Sequence, residues 1–197
     1  MKRTLAAAAS IVVVTLATTL AAQAARYTYP LDAYFSFTYP AIPALSVRTI
    51  SVGTSSSAKS WSRMSDVPGG RVFAEATLSS AFQPKTNFAD GLFSVGVSED
   101  PRAVATCLKP PPGAGPIGHA IINGVAFTTS TTGDAGAGNL YEVHSYRTLR
   151  KHRCYAVEYV IHSLNIGNFD PSSGIVAYNQ NKVTSIFDAM VRSFKFR

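Results

Sequence analysis

Residues 139–163 read NLYEVHSYRTLRKHRCYAVEYVIHS. Two runs rich in β-branched and aromatic residues flank four consecutive basic residues, Arg150-Lys151-His152-Arg153, the pattern of two strands joined by a turn. Folding the segment about those four residues pairs Leu149 with Cys154, Tyr146 with Val157 and Val143 with Val160. The result is an antiparallel hairpin with one basic tip. Side chains alternate between the faces of a strand. His144 and His162 therefore project to opposite faces, as do Glu142 and Glu158. Glu158 falls diagonal to Arg147, which places the two for a cross-strand ion pair.

Outward from this hairpin the chain keeps the same character. "AYFSFTYPAIP" predicts a strand, with Phe35, Phe37 and Tyr39 alternating with Tyr34, Ser36 and Thr38, and with Pro40 and Pro43 ending it. "LSVRTISV" alternates with Val47 and Ile50 inward, "GTSSSAKS" is a polar loop, and "GRVFAEATLSS" and "GLFSVGVS" are further strands. "HAIINGVAFTTSTT" predicts a hairpin turning at Asn123-Gly124. Residues 25–31 read as an ordered lead-in or short tail, and "GDAGAGN" as a small flexible loop. Two helices interrupt the strands. "SEDPRAVATCL" begins one, with Ser98 or Asp100 as cap and Pro101 in its first turn; "KPPPGAGPIG" ends it. "NKVTSIFDAMVRSF" is amphipathic, with Val183, Ile186, Phe187, Met190 and Val191 on one face, and "FKFR" closes the chain as an edge strand. The order predicts an α+β domain: an antiparallel β-sheet with helices packed on it.

The first residues carry a different message. Lys2 and Arg3 precede a small apolar stretch to about Leu20, and Ala22-Gln23-Ala24 is a small-x-small cleavage pattern. These are the three parts of a secretory signal in order, so residues 1–24 are expected to be removed and 25–197 to form one domain. A transmembrane span needs about 20 strongly apolar residues, and this stretch is rich in Ala, Thr and Ser. The remaining 173 residues hold sixteen basic and eleven acidic side chains, a net charge of +5. The expected location is the periplasm or the medium. An exported chain with two cysteines, Cys107 and Cys154, points to a disulfide. The rival reading makes Cys154 a thiolate activated by its basic neighbours, with His144, His152 or His162 as base.

The "FSFTYP" strand, the central "INGVAF" and the terminal "IFDAMVRSFKF" together resemble the PsbP/Mog1-like proteins. The resemblance implies an antiparallel sheet sandwiched by helices. The chain is also similar to exported bacterial members of unknown function, in which a "GAG" loop, a Tyr-rich strand and a "CY" pair recur. The named families are non-enzymatic partners, a photosystem accessory subunit and a GTPase-binding protein. The resemblance carries over no catalytic residue.

Motifs for chemistry are sparse. "PPPGAGPIG" and "GDAGAGN" lack the Gly-Lys-Ser/Thr of a P-loop and the GxGxxG context of a dinucleotide site. His119, His144, His152 and His162 lack zinc-site spacing. No cofactor, metal site or catalytic residue is therefore assigned. The candidate binding residues are Arg147, Arg150, Lys151 and Arg153 at the basic tip, with Trp61 as an aromatic candidate. Tyr27, Tyr29 and Tyr34 are further aromatics for a binding surface. Basic side chains with nearby Tyr146 and Tyr155 suit an anionic polymer or an envelope protein. A nucleic acid is disfavoured by export and by the lack of a recognised binding motif. The favoured reading is a non-enzymatic binding or accessory protein of the cell envelope, and the alternative is an extracytoplasmic hydrolase. Oligomeric state is not written in the sequence.

Overall fold

The computed structural model describes residues 24–28, 35–49, 61–64, 69–111 and 113–197. The residues of the expected signal before Ala24, together with Tyr29, Tyr34, Ile50 and the 53–60 loop, lie outside the described residues. The described strands are β1 (Ala24–Thr28), β2 (Phe35–Pro40), β3 (Leu45–Thr49), β4 (Arg71–Ser79) and β5 (Phe88–Ser98). They continue with β6 (Gly118–Ile122), β7 (Val125–Gly136), β8 (Asn139–Arg150), β9 (Arg153–Leu164) and β10 (Lys195–Phe196). The α-helices are α1 (Pro101–Thr106) and α2 (Gln180–Ser193).

The hairpin that opened the reading is β8–β9. Leu149 pairs with Cys154, Tyr146 with Val157 and Val143 with Val160. It forms the interior of a seven-stranded antiparallel sheet in the order β3-β4-β5-β9-β8-β7-β6. A second sheet of three strands, β1-β2-β10, is separate from it. The α+β class and the antiparallel sheet hold, with the strands divided between two sheets rather than one.

Two sequence expectations change. The lead-in at 25–31 contributes β1, which pairs with β2 from Ala24↔Pro40 to Thr28↔Ser36. Tyr27 explains why: its ring stacks on Phe37 at 4.8 Å and is buried, which ties the segment to the core. "GDAGAGN" is not a flexible loop. The β7–β8 pairing runs to Gly136↔Asn139, leaving Ala137 and Gly138 as a two-residue turn with φ of 50° and 81°. Small residues read as a loop, yet backbone pairing alone carries the strands this far. The Asn123-Gly124 turn forms as expected, between Ile122 and Val125.

One face of the large sheet carries the main core. Phe93, Val95, Val157, Tyr159 and Ile161 point toward α2 and the small sheet. The alternation of β2 sends Phe35 and Phe37 inward, where Phe37 meets Phe93 at 4.9 Å between ring centroids. The helical spacing of α2 buries Val183, Phe187, Met190 and Val191, with Ile186 partly covered. Phe187 stacks on Tyr159 at 5.2 Å and passes over Gly91, where a Cβ would stand 2.6 Å from the ring. The opposite face holds a smaller cluster of Trp61, Ala103, Cys107, Cys154 and Ala156. Here α1, capped by Asp100 through the Arg102 amide, packs on β9.

Candidate binding surface

At the tip, Arg150 pairs with Arg153, so Lys151 and His152 form the two-residue turn. Both are exposed and left-handed, with φ of 49° and 57°. Positive φ at both central residues matches the turn twist to the strand twist. The Arg150 guanidinium lies 4.5 Å over the Phe196 ring of β10. Arg153 Nε donates to Glu99 Oε1 at 2.7 Å. Directly behind the turn, Cys154 is bonded to Cys107, with Cα atoms 5.6 Å apart. The disulfide removes both thiols and joins the base of the tip to the end of α1. The thiolate reading of Cys154 ends there.

Arg147 and Trp61 do not belong to this exposed surface. Arg147 is 6% exposed and Trp61 3%, so neither is available at the tip as the sequence suggested. The reason is a covering segment. Residues 61–64 lie across the β5–β9–β8 face, so close that a methyl at Gly96 would collide with the Trp61 carbonyl. Beneath it sits a buried polar network centred on Glu158, itself 1% exposed. Glu158 Oε1 accepts from Ser62 Oγ and from Ser145 Oγ, both at 2.7 Å. Its Oε2 accepts from the Arg63 amide at 2.6 Å. Arg147 donates to Ser62 Oγ at 2.8 Å and stands 3.7 Å from Glu158 Oε1, the expected cross-strand ion pair. Its guanidinium is 5.8 Å from the Trp61 ring centroid, and its Nε has no hydrogen-bond partner among the described residues. Burial pulls the Arg147 guanidinium below its ordinary range, and the Glu158 charge opposes that pull. This network is a clip that holds 61–64 to the sheet.

The α2 face carries a different set. His144 Nε2 is 2.5 Å from Glu142 Oε1, and Gln180 of α2 donates to Glu142 Oε2 at 2.6 Å. The imidazole stacks on Tyr159 at 4.4 Å, and Tyr159 donates to Asp188 Oδ1 at 2.9 Å. Burial, then the Asp188 charge, pushes the Tyr159 phenol far above its usual value. Tyr146 rises for the same two reasons. Beside Glu142 opens a cavity of about 510 Å³, walled by Leu140, Ile161, Ser163 and Tyr178 among others. Burial and then Glu142 raise the Tyr178 phenol. His162 lies on the other face, between Asp90 and Asn139. The expected separations of His144 from His162, and of Glu142 from Glu158, are both present. Among the described residues no group of three or more His, Cys, Asp or Glu is arranged to hold a metal ion.

Sequence reasoning missed Ser62 and the Glu142–His144 contact. The second had a signal, since residues i and i+2 share a strand face. Ser62 had none, because nothing local in "WSRM" announces that it crosses a sheet.

No protein-family model matches the chain, and no curated protein does. Among solved structures, the chain is similar to a crystal structure from Bacteroides thetaiotaomicron VPI-5482, at 13% identity and a TM-score of 0.44. The match covers 87% of this chain and 48% of that one, so the chain spans about half the length of the matched structure.

Proposed function

We propose that this chain is an exported, disulfide-stapled accessory protein of the cell envelope that binds an anionic polymer through the β8–β9 tip. The observation that carries the reading is the tip itself. Arg150, Lys151, His152 and Arg153 stand at the end of two paired twelve-residue strands, with a disulfide directly behind them. A rigid basic projection meets a polyanion without losing loop entropy on binding. Export rests on the signal pattern at residues 1–24 together with the oxidised cysteine pair, which suits an oxidising compartment. The PsbP/Mog1-like relationship is part of the same proposal, supported by the "FSFTYP" and "IFDAMVRSFKF" resemblance.

The test uses the exported protein. Its intact mass is expected to start at Ala25, with no alkylation until reduction. Arg150→Glu with Lys151→Glu is then compared with wild type for capture by immobilised polyphosphate at low salt. The expected result is at least a tenfold loss of capture with an unchanged melting curve. Equal capture removes the tip from the reading.

A hydrolase reading has one observation of its own, the Glu142–His144 contact beside the 510 Å³ cavity. A carboxylate orienting an imidazole is the arrangement that activates a water. Turnover of an ester, amide or glycoside substrate that disappears in His144→Ala, with the fold intact, would favour it over the binder.

A further inference from the structure

The outer face of the small sheet gathers cations from both ends of the described chain. Phe35 and Phe37 of β2 enter the core, which sends Ser36 and Thr38 to the opposite face of the strand, where Ser36 is buried and Thr38 half-buried. Arg26 of β1 pairs with Thr38, and Lys195 of β10 pairs with Ser36. Directly paired residues in an antiparallel ladder share a face. Arg197, two residues after Lys195, returns to that face, where its guanidinium reaches Thr28 Oγ1 at 3.5 Å. Ser193 closes the group from the end of α2, its Oγ accepting from the Thr38 amide at 2.8 Å. Together these residues line a concave pocket of about 360 Å³.

Among the described residues no Asp or Glu side chain lines this pocket. Arg48, Arg102, Arg147, Arg153 and Arg192 each have a carboxylate within 4 Å. Among the described residues, Arg26, Lys195 and Arg197 have none. Like charges brought together in a concavity repel one another, and an anion placed between them turns that repulsion into attraction.

We propose that this pocket binds a phosphate group. Three cations favour a dianion, since each cation attracts a double charge about twice as strongly as a single one at equal distance. Two guanidinium groups present paired N–H donors that match the oxygens of phosphate, and Lys195 adds a compact charge. The Ser36 and Thr38 hydroxyls supply donors at the floor. Phe196 also lines the pocket, but it pairs with core-facing Phe35, so its ring and the Arg150 guanidinium over it fall on the face of the strand opposite Lys195. The inference shares only the sign of charge with the proposed function. Its variants leave Arg150 and Lys151 in place, so the two readings fail separately.

The experiment titrates the full exported protein with inorganic phosphate, followed by calorimetry and by amide shifts in NMR spectra. One saturable site is expected, with shifts concentrated at Ser36, Thr38 and Lys195 and with acetate binding at least tenfold more weakly. Lys195→Gln with Arg197→Gln, at exposed positions, is expected to weaken phosphate at least tenfold without changing the melting curve. Arg26→Gln alone, also exposed, guards against a folding defect in the pair. Arg150→Glu with Lys151→Glu is expected to leave phosphate affinity within about twofold, because those charges lie outside the pocket. Two arms separate the sources of the phosphate. Competition by glycerol phosphate, without sedimentation on vesicles, marks a soluble ester. Sedimentation on phosphatidylcholine vesicles containing phosphatidic acid, whose phosphomonoester is the matching dianion, but not on phosphatidylcholine alone, lost in the Lys195/Arg197 variant, marks a lipid headgroup. Absence of saturable phosphate binding, or binding indifferent to Arg26, Lys195 and Arg197, overturns the proposal.

Discussion

Replacing Arg147 with Met tests the clip beneath Trp61. Methionine keeps an apolar stem against the ring and removes the charge. At 3.7 Å from Glu158 Oε1, a unit charge pair in surroundings of effective dielectric about 20 attracts by about 4.5 kcal/mol. Breaking a buried pair by removing one partner costs about 3–5 kcal/mol, because the other charge stays buried. Glu158 keeps its bonds from Ser62, Arg63 and Ser145, which argues for the lower part of that range. The expected loss is about 3 kcal/mol, or roughly 10 °C in melting temperature for a domain of this size. Trp61 is the only tryptophan of the chain and lies beside the guanidinium, so its emission in a urea titration reports on the site itself. Adding Glu158→Gln removes the stranded charge. The amide oxygen then accepts from Arg63, and its NH2 donates to the serine hydroxyls. The double variant should therefore be more stable than Arg147→Met alone, with a coupling of about 2 kcal/mol. An Arg147→Met protein within about 0.5 kcal/mol of wild type, or strictly additive variants, would refute the clip.

Further outcomes follow from other contacts. Replacing Cys107 and Cys154 by Ser and Ala frees a loop spanning a separation of 47 residues. By chain entropy this costs about 4 kcal/mol, read as the difference in urea stability from the oxidised protein. Asn123 donates to the Phe194 and Arg192 carbonyls at 2.7 and 3.1 Å, closing the end of α2, and holds φ at 48°. Asn123→Gly should lose about 1 kcal/mol through those bonds, and Asn123→Ala more, because alanine also resists the left-handed backbone; the reverse order would break the argument. Tyr159 keeps its proton more tightly in the fold than in the unfolded chain. Its contribution is present below the unfolded value of about 10 and is lost as pH rises from there toward the folded value. Stability measured between pH 9 and 11 should fall less steeply in Tyr159→Phe than in wild type, and parallel slopes would count against it.

The fold was legible wherever a local pattern decides a contact. The hairpin register follows from alternation and one turn, and β8–β9 obeys it from Leu149↔Cys154 to Val143↔Val160. The helix α2 follows from spacing and α1 from its cap, since both signals lie within a few residues. The separate small sheet was not legible. It joins β1 and β2 near one end of the chain to β10 at the other, and no periodicity within either segment records a partner more than 150 residues away.

The binding surface divides along the same line. Arg147, Arg150 and Arg153 are alike in the sequence, each a basic residue within four positions of the turn. Alternation alone separates them. Arg147 shares a face with Glu158 and Cys154, while Arg150 falls on the other face with Tyr155. What alternation does not tell is which face is covered, and the cover comes from Trp61 and Ser62, distant in sequence. The same reasoning finds the pocket charges. Once Phe35 and Phe37 are assigned inward, Ser36, Thr38 and every residue paired with them must take the opposite face, and the pairs bring Arg26 and Lys195. A cation's role in this chain is thus set by the strand face it occupies and by the distant segment lying over that face. Charge density along the sequence marks the tip and misses both the buried Arg147 and the converging Arg26, Lys195 and Arg197.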